Sequence, residues 1–514
     1  MAGDAHRNAR LQRPSPSHAT PSSALRIALL ALALAFGFLG LRGLIDPDEG
    51  RYTNVALHML DSGDWVHPHR SDAVGHWTKP PLTYWAIAAS LRLFGNHAWA
   101  ARLPAALAYL LCVWLAWRIA RRLAPGGEAT AALAFATMLW PFVASQIITT
   151  DFLVAAWQGV AMWAFVEARF GASRRPGAWI ALMWLAFALA FLVKGPPGLL
   201  ALPAIAALAL LAPGPREARA FRLWSLPLFL LVAAPWFVVV VRDQPALLGY
   251  FLGQEVVNRV ASDTFNRHGE WYGWLVVYAP TLLLGSLPWT GSLLRGLRGL
   301  PARVTAWRTR AGRIDDAPAL LLALWIALPL LVFCLARSRL PLYVLPLFLP
   351  LAVSVARLRT ARATPLPSWW AIALWTALLL GAKVVTARID HEDDARRWAQ
   401  AIRERTASLR VGEVVFVEDT PRYGLHLELG AEVERVSLDP LPQPRPIDSP
   451  YDRTFADALR AQASHTQRMH AGATVWIVKR KYWPRLRAQA DAAGERVDIL
   501  GTPYRDRIIV RISH

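Results

Sequence analysis

The sequence predicts a mainly α-helical, polytopic membrane protein that ends in a small α/β domain. Of its 514 residues 55% are hydrophobic, and the mean hydropathy is +0.29, which is typical of membrane proteins. Apolar runs of about 20 residues, the length that crosses a bilayer, recur up to about residue 387. From residue 388 onward these runs give way to short, alternating strand-like and helix-like segments.

Residues 1–24 are polar and contain several Pro and Ser, which predicts a disordered cytoplasmic N-terminus. The apolar run that follows is long enough to span the membrane and lacks a clear small-x-small cleavage site. We therefore predict a retained first helix, with a removed signal peptide as the alternative.

The length criterion predicts about eleven spans within a transmembrane domain of residues 25–387. Short or broken helices near a binding site escape this criterion, so a count of 11–13 is compatible with the pattern. The candidates are 25–45, 99–120, 129–148, 152–169, 177–194, 197–212, 223–241, 272–293, 317–336, 340–356 and 367–386.

Arginines orient these spans. With the N-terminus in the cytoplasm, every cytoplasmic loop is rich in arginine, as the positive-inside rule requires. Much of the net charge of +20 is thereby explained, and no aromatic-basic motif suggests nucleic-acid binding. Cys112 and Cys334 lie in apolar runs and predict neither a disulfide framework nor a metal cluster.

The long first loop, residues 46–98, lies on the outer face in this topology. It contains two helix-like segments, "EGRYTNVALHML" and "PPLTYWAIAASLRLF", the second opened by a proline pair suited to a first helical turn. We expect both to lie in the outer interface. The tail, residues 388–514, also lies outside, and its pattern predicts a periplasmic α/β domain without a Gly-rich nucleotide fingerprint.

Charged and tyrosine side chains from five segments collect at the outer ends of the spans. Asp151 is the hardest to explain structurally, because an ionised carboxylate among apolar neighbours needs a water-filled cavity or a distant partner. The candidate residues are Asp48, Glu49, Arg51, Tyr52, Lys79, Tyr84, Asp151, Lys194, Arg259, Arg267, His268, Arg339 and Tyr343.

Such a site suits a substrate with a lipid body and a charged head. Lys and Arg hold phosphates, and a carboxylate accepts a proton from an attacking hydroxyl or stabilises a developing sugar cation. No P-loop or dinucleotide motif is present, which argues against a soluble nucleotide sugar.

Five stretches together resemble the GT-C membrane glycosyltransferases, and more narrowly the lipid A 4-amino-4-deoxy-L-arabinose transferases and bacterial relatives of protein O-mannosyltransferases. The resemblance covers about residues 25–355. The stretches are "DPDEGRYTNVALHMLDSGDWVHPH", "HWTKPPLTYWAIAASLRLFGNHAWAARLP", "TTDFLVAAWQ", "FLVKGPPGLL" and "SRLPLYVLPLFLPLAV".

The resemblance implies an inverting transferase in a bacterial inner membrane, with its active site facing the periplasm. It implies an undecaprenyl-phosphate-linked sugar donor, an envelope acceptor such as lipid A, and neither a metal nor another cofactor. Asp48 and Asp151, with Glu49 beside them, would be catalytic, and Asp48 is the first choice for activating the acceptor. The donor phosphate would be held by Arg51, Lys79, Arg267 and Tyr343. The substrate cavity would be lined by Tyr52, Tyr84, Lys194, Arg259, His268 and Arg339.

Three other functions are compatible with parts of the pattern. A protein O-glycosyltransferase of the mannosyltransferase type differs only in its acceptor. A transporter or flippase for a charged lipid would place polar groups at mid-membrane and show repeat symmetry, neither of which is evident. A non-catalytic envelope-assembly protein would tolerate replacement of Asp48 and Asp151.

Overall fold

The computed structural model describes residues 21–72, 74–253, 267–406, 409–463 and 472–513. Helices from residue 21 to residue 388 form a bundle. Two of these helices, the second and third in chain order, belong to the first outer loop. The helices of this part are α1 Pro21–Phe36, α2 Asp48–Ser62, α3 Leu82–Phe94, α4 Ala98–Leu123, α5 Glu128–Thr137, α6 Leu139–Ala144, α7 Asp151–Phe170, α8 Pro176–Lys194, α9 Leu202–Leu211, α10 Ser225–Asp243, α11 Ala246–Gly249, α12 Gly273–Gly285, α13 Thr290–Leu297, α14 Leu300–Ala306, α15 Arg310–Asp315, α16 Ala317–Leu335, α17 Phe348–Thr360 and α18 Trp369–Arg388.

Among the described residues, six elements are long and apolar enough to cross a membrane: α4, α8, α10, α16, α18, and α17 together with the 3₁₀ turn Pro341–Leu347 before it. The bundle core is built from Ala, Leu, Val and Phe, and the many alanines let neighbouring helices approach closely. The predicted helical membrane fold is therefore confirmed.

Several predicted span boundaries are wrong. The first predicted span, 25–45, is helical only to Phe36, because glycines follow and Phe38 adopts a left-handed φ of +58°. The predicted span 129–148 is split into α5 and α6 at Met138, whose extended backbone breaks the helix.

Proline and glycine interrupt two further predicted spans. The span predicted at 197–212 begins as a 3₁₀ turn, Pro196–Leu199, and becomes α-helical only from Leu202. The span predicted at 272–293 ends at Gly285, just before Pro288, which has no backbone N–H to donate.

The first outer loop contains the two predicted helices, α2 and α3. They pack against each other and bury an apolar cluster that includes Val55, Tyr84 and Ile87. A short antiparallel pair, β1 His69–Ser71 and β2 Val74–Gly75, lies between them. Placement of either helix in the membrane interface stays a prediction.

The tail folds around a six-stranded mixed sheet. Its elements are α19 Ala395–Arg405, β3 Val411–Val417, α20 Leu425–Leu429, β4 Glu432–Ser437, β5 Arg453–Thr454, α21 Phe455–Ala463, β6 Ala473–Lys479, α22 Trp483–Ala492, β7 Arg496–Ile499 and β8 Arg507–Ser513. The strand order is β5-β4-β3-β6-β8-β7; the first four are parallel, and β8 and β7 are antiparallel to their neighbours. Apolar clusters cover both faces, as expected for a buried parallel strand such as β3.

The tail sheet is docked on the first outer loop by polar contacts. Gly424 N donates to both carboxylate oxygens of Asp46, at 3.3 and 3.2 Å, and Arg70 Nε donates to Asp452 at 3.0 Å. Asp46 is buried, and this burial raises its pKa well above the ordinary value. These contacts hold the start of α2 in a fixed position beneath the tail.

Candidate functional site

Glu49 ties together the outer ends of several helices. Its carboxylate is 1% exposed and accepts two hydrogen bonds from Arg102 of α4, both at 2.9 Å. Arg42, just after α1, binds the same carboxylate, and the backbone N–H groups of Ile45 and Ile148 donate to it at 2.9 and 3.2 Å. The start of α2 is thereby held against the turn that precedes α7.

The charge of Glu49 is fixed by these partners. Burial alone would raise its pKa, but the guanidinium groups of Arg102 and Arg42 outweigh burial and hold the pKa at about 2. A carboxylate with two guanidinium partners is a poor proton acceptor at neutral pH. The predicted catalytic role of Glu49 stays a prediction, and its position favours a structural role.

Asp48 precedes Glu49 but points elsewhere. Its side chain is 57% exposed and pairs with Arg51 one helical turn later. Both carboxylates lie in the first turn of α2, where the helix dipole stabilises negative charge. Asp48 is therefore an accessible carboxylate on a rigidly held helix start.

Arg51 and Lys79 lie in a basic, aromatic group that also contains His76. Burial lowers the pKa of His76 well below its usual value, and the nearby charges of Arg51, Arg70 and Lys79 lower it further. Lys79 is 9% exposed, and its ammonium donates to Thr78 O at 2.5 Å. Tyr52 and Tyr84 stack beside this group with ring centroids 5.6 Å apart. We call this set the loop group.

Asp151 and Lys194 form an ion pair across the bundle. Asp151 is the first residue of α7 and Lys194 the last residue of α8, so each charge lies at the helix end that stabilises it. Gly195, with φ +69°, ends α8 immediately after the lysine. The Lys194 ammonium also lies 4.8 Å from the ring centroid of Tyr343.

These three residues line one end of a cavity of about 260 Å³, together with Arg267 and Ser338. The rest of its wall is largely apolar and comes from α7, the turn after α8, α16 and the 3₁₀ turn that contains Tyr343. Its apolar lining is Val154, Pro196, Pro197, Leu200, Trp325, Pro329, Val332, Phe333, Ala336, Pro346 and Leu347. The cavity thus has a charged end and an apolar wall. We call it the charged cavity.

The wall segment with Arg267 and His268 is pinned by Arg339. Arg339 is 4% exposed; its backbone N–H donates to Arg267 O at 2.9 Å and its guanidinium donates to the carbonyls of His268 and Glu270. All the hydrogen bonds described for this guanidinium go to backbone carbonyls, so Arg339 positions the wall. The predicted Arg259 lies outside the described residues.

The predicted residues therefore fall into two neighbouring groups. Asp151, Lys194, Arg267 and Tyr343 line the charged cavity, whereas Arg51, Tyr52, Lys79 and Tyr84 form the loop group. The segments that carry the two groups are in contact: Ile148 N, near Asp151, donates to Glu49, near Arg51, and one apolar cluster contains both Trp77 and Leu192.

Sequence reasoning missed three residues that build the site. Arg102 and Arg42 hold Glu49, and Gln158 lines the charged cavity while donating to Pro197 O at 2.7 Å. A buried arginine inside an apolar span was the available signal for Arg102.

Known proteins share this architecture. Residues 78–240 match the family model described as dolichyl-phosphate-mannose-protein mannosyltransferase. The whole chain superposes on the crystal structure of ArnT from Cupriavidus metallidurans bound to undecaprenyl phosphate, with a TM-score of 0.74 and 20% identity, covering 96% of this chain and 98% of that one. This chain has the fold of that transferase and resembles the GT-C membrane glycosyltransferases in sequence.

Two curated relatives carry the name undecaprenyl phosphate-alpha-4-amino-4-deoxy-L-arabinose arabinosyl transferase. The protein of Erwinia tasmaniensis is 34% identical over 331 residues, covering 62% of this chain and 56% of the relative. That of Pseudomonas aeruginosa is 33% identical over 368 residues, covering 68% and 63%. The matched region thus spans somewhat more than half of these relatives' length.

Proposed function

We propose that this chain transfers a sugar from an undecaprenyl-phosphate-linked donor to an envelope acceptor, with lipid A as the first candidate, at the periplasmic face of a bacterial inner membrane. The observation that carries this proposal is the charged cavity. Its ion pair and Arg267 suit a sugar phosphate, and its apolar wall suits the first isoprene units of a lipid.

Cations hold the donor phosphate in this proposal. We assign this role to Lys194 and Arg267, which line the charged cavity, and to Arg51 and Lys79 of the loop group. Positive charge stabilises the negative charge that develops on the departing phosphate, so the leaving group needs no strong acid. Tyr343, beside Lys194, completes this end of the cavity.

The reaction is a single displacement. A lone pair of the acceptor nucleophile forms a bond to the anomeric carbon, the bond from that carbon to the phosphate oxygen breaks, and the electron pair leaves with the polyprenyl phosphate. A carboxylate takes the nucleophile's proton. Asp48 is our choice for this role because it is accessible, while Asp151 stabilises positive charge on the sugar from within the cavity.

The relatives support this donor. Their name specifies an undecaprenyl-phosphate-linked aminoarabinose, and the superposed structure was solved with undecaprenyl phosphate. The same name makes 4-amino-4-deoxy-L-arabinose the first sugar to test. The matched family model, named for protein mannosylation, makes a protein acceptor the second candidate.

Mass spectrometry of envelope lipids, glycans and proteins from a deletion strain tests the proposal. We expect one species to lose a single sugar mass, wild-type protein to restore it, and Asp48→Asn to fail. The mass lost identifies the sugar class, and its carrier identifies the acceptor.

Asp315→Asn is the matched control, because this exposed carboxylate lies just before α16 and does not line the charged cavity, whose first wall residue on that helix, Trp325, is roughly 15 Å further along the axis. It should restore the sugar fully. An unchanged glycan profile together with a shift of an undecaprenyl-linked precursor between leaflets would instead establish a flippase.

A further inference from the structure

A second cavity lies between the segment that follows α1, the α4 helix, the end of α6 and α18. It encloses about 210 Å³ and is lined by apolar side chains such as Phe38 and Phe142 together with Arg42, Arg102, Gln146 and Lys383. None of its lining residues lines the charged cavity. We call it the α18 cavity.

Lys383 is placed unusually. It belongs to α18, whose other long side chains largely face outward: Leu374, Leu378 and Val385 are 64%, 57% and 61% exposed. A lysine on such a helix normally extends its ammonium toward water. Here the ammonium nitrogen is buried, and it has no hydrogen-bond partner within the described part of the chain.

The α18 cavity also carries excess positive charge. Arg42 and Arg102 share one carboxylate, that of Glu49, so Lys383 adds a third cation where the described residues supply a single anion. The two arginines are occupied by Glu49 and by backbone carbonyls, which leaves the Lys383 ammonium as the open donor. The side-chain oxygen of Gln146 likewise lacks a donor among these residues.

An uncompensated cation at this depth is costly unless an anion accompanies it. A phosphate provides acceptor oxygens for Lys383, and a hydroxyl on the same head group provides a donor for Gln146. Basic pockets between membrane helices are known sites for anionic lipid head groups, and the exposed face of α18 offers a surface for acyl chains.

We propose that the α18 cavity binds the phosphate of an anionic phospholipid from the outer leaflet, with Lys383 as the direct donor and Arg42 and Arg102 supplying the surrounding positive field. The bound head group lies against the arginines that hold Glu49, so lipid binding stabilises the start of α2. This proposal is independent of the sugar donor and of the transfer reaction.

Native mass spectrometry of the full-length protein in nanodiscs tests it. Phosphatidylglycerol is titrated against phosphatidylcholine with the same acyl chains. We expect wild type to retain phosphatidylglycerol preferentially and Lys383→Gln to lower that retention about tenfold, the effect of losing one charge-assisted hydrogen bond. Lys383→Arg, which keeps the charge, should retain most of the binding.

Arg388→Gln is the matched control, since it removes the same charge from the same helix at an exposed position outside the cavity lining. It should bind phosphatidylglycerol as wild type does. Equal retention of both lipids by wild type, or an equal loss in Arg388→Gln, would overturn the proposal. Displacement of the lipid by millimolar inorganic phosphate would overturn the assignment to a lipid head group.

Discussion

At the residue scale, the pairing of Asp151 with Lys194 determines how the charged cavity responds to a ligand. Both side chains are only 10% exposed, so each depends on the other for charge compensation. A donor phosphate entering beside Lys194 shares this cation with Asp151. The carboxylate then becomes less fully neutralised, which strengthens its interaction with positive charge that develops on the sugar.

Asp151→Asn separates these two effects. We expect the transfer rate to fall by about 100-fold or more, because an amide cannot stabilise the developing sugar cation as a carboxylate does. We expect donor affinity to be unchanged or higher, since Lys194 is released for the phosphate. Turnover assays and calorimetric titration with undecaprenyl phosphate measure the two quantities. A parallel loss of affinity and rate would show that Asp151 mainly shapes the cavity.

Lys79→Ala tests whether the loop group contacts the donor. Removing a charge-assisted hydrogen bond to phosphate should weaken binding of undecaprenyl phosphate by about tenfold. Acceptor binding should change much less. Lys481→Ala, at an exposed position of the tail, serves as the control and should leave both affinities unchanged. Wild-type donor affinity in Lys79→Ala would remove the loop group from the phosphate site.

At the scale of the elements, α2, α4 and the turn before α7 depend on the Glu49 network. Arg102→Met keeps most of the side-chain volume but leaves a buried carboxylate with one cation fewer. We expect a loss of about 3–5 kcal/mol in stability, the usual cost of breaking a buried ion pair. The control Arg121→Met alters an exposed arginine of the same helix and should have little effect.

Thermal unfolding in detergent, followed by tryptophan fluorescence, measures this difference. The pH dependence is an independent check. Because the pKa of Glu49 is lowered on folding, its stabilising contribution is fully present above the pKa of an unfolded glutamate, about 4.3, and is lost as the pH falls toward 2. Arg102→Met should reduce this acid sensitivity. Identical midpoints for the two arginine variants would contradict the structural role of Glu49.

The elements that the sequence predicted well are those with a simple pattern. Long, uninterrupted apolar runs, such as those of α8 and α16, gave nearly correct boundaries. The helix broken at the extended Met138 was predicted as continuous, and the 3₁₀ turn Pro196–Leu199 was predicted as the start of a span, because hydropathy does not register backbone geometry. In the tail, β4 has no clear strand pattern in the sequence, because its charged residues do not alternate cleanly with apolar ones.

For the candidate site, too, the sequence predicted some features and not others. The chemical types of Asp151, Lys194, Arg267 and Tyr343 could be chosen from the sequence, because charges at apolar span ends are unusual. The sequence could not predict which of these residues share a cavity, because this depends on how helices from distant segments pack together. The exposure of Asp48 and the burial of its neighbour Glu49 likewise follow from the three-dimensional positions of Arg51 and Arg102.

At the scale of the whole molecule, the tail acts on the first outer loop through buried polar contacts. Arg70 binds Asp452, and the His426 ring lies 2.8 Å from Asn54 Oδ1 and 3.1 Å from Asp61. A loop built from two short helices becomes more rigid when a folded domain packs against it. The tail therefore helps to hold α2, which carries Asp48 and part of the loop group, in a fixed position.

The contact between Glu432 of the tail and the first outer loop should make the docking of the tail on this loop sensitive to pH. Glu432 is buried and accepts a hydrogen bond from Asp72 N at 2.8 Å. Burial, together with the negative charges of Glu434 and Asp72, raises its pKa, whereas Arg453 is the cation near this acidic group. The folded protein therefore holds a proton on Glu432 at pH values where the unfolded chain has released it.

Stability consequently falls as the pH rises above the ordinary range of a glutamate, about 4.3, because folding must retain that proton. Glu432→Gln imitates the protonated acid and keeps the acceptor for Asp72 N. We expect this variant to be more stable than wild type at pH 8, with the difference vanishing toward pH 4. Limited proteolysis of the tail across this range measures the effect, with Glu404→Gln, on an exposed face of α19, as the control. A pH-independent difference would mean that Glu432 is ionised in the folded protein and that its contact with the loop does not depend on a proton.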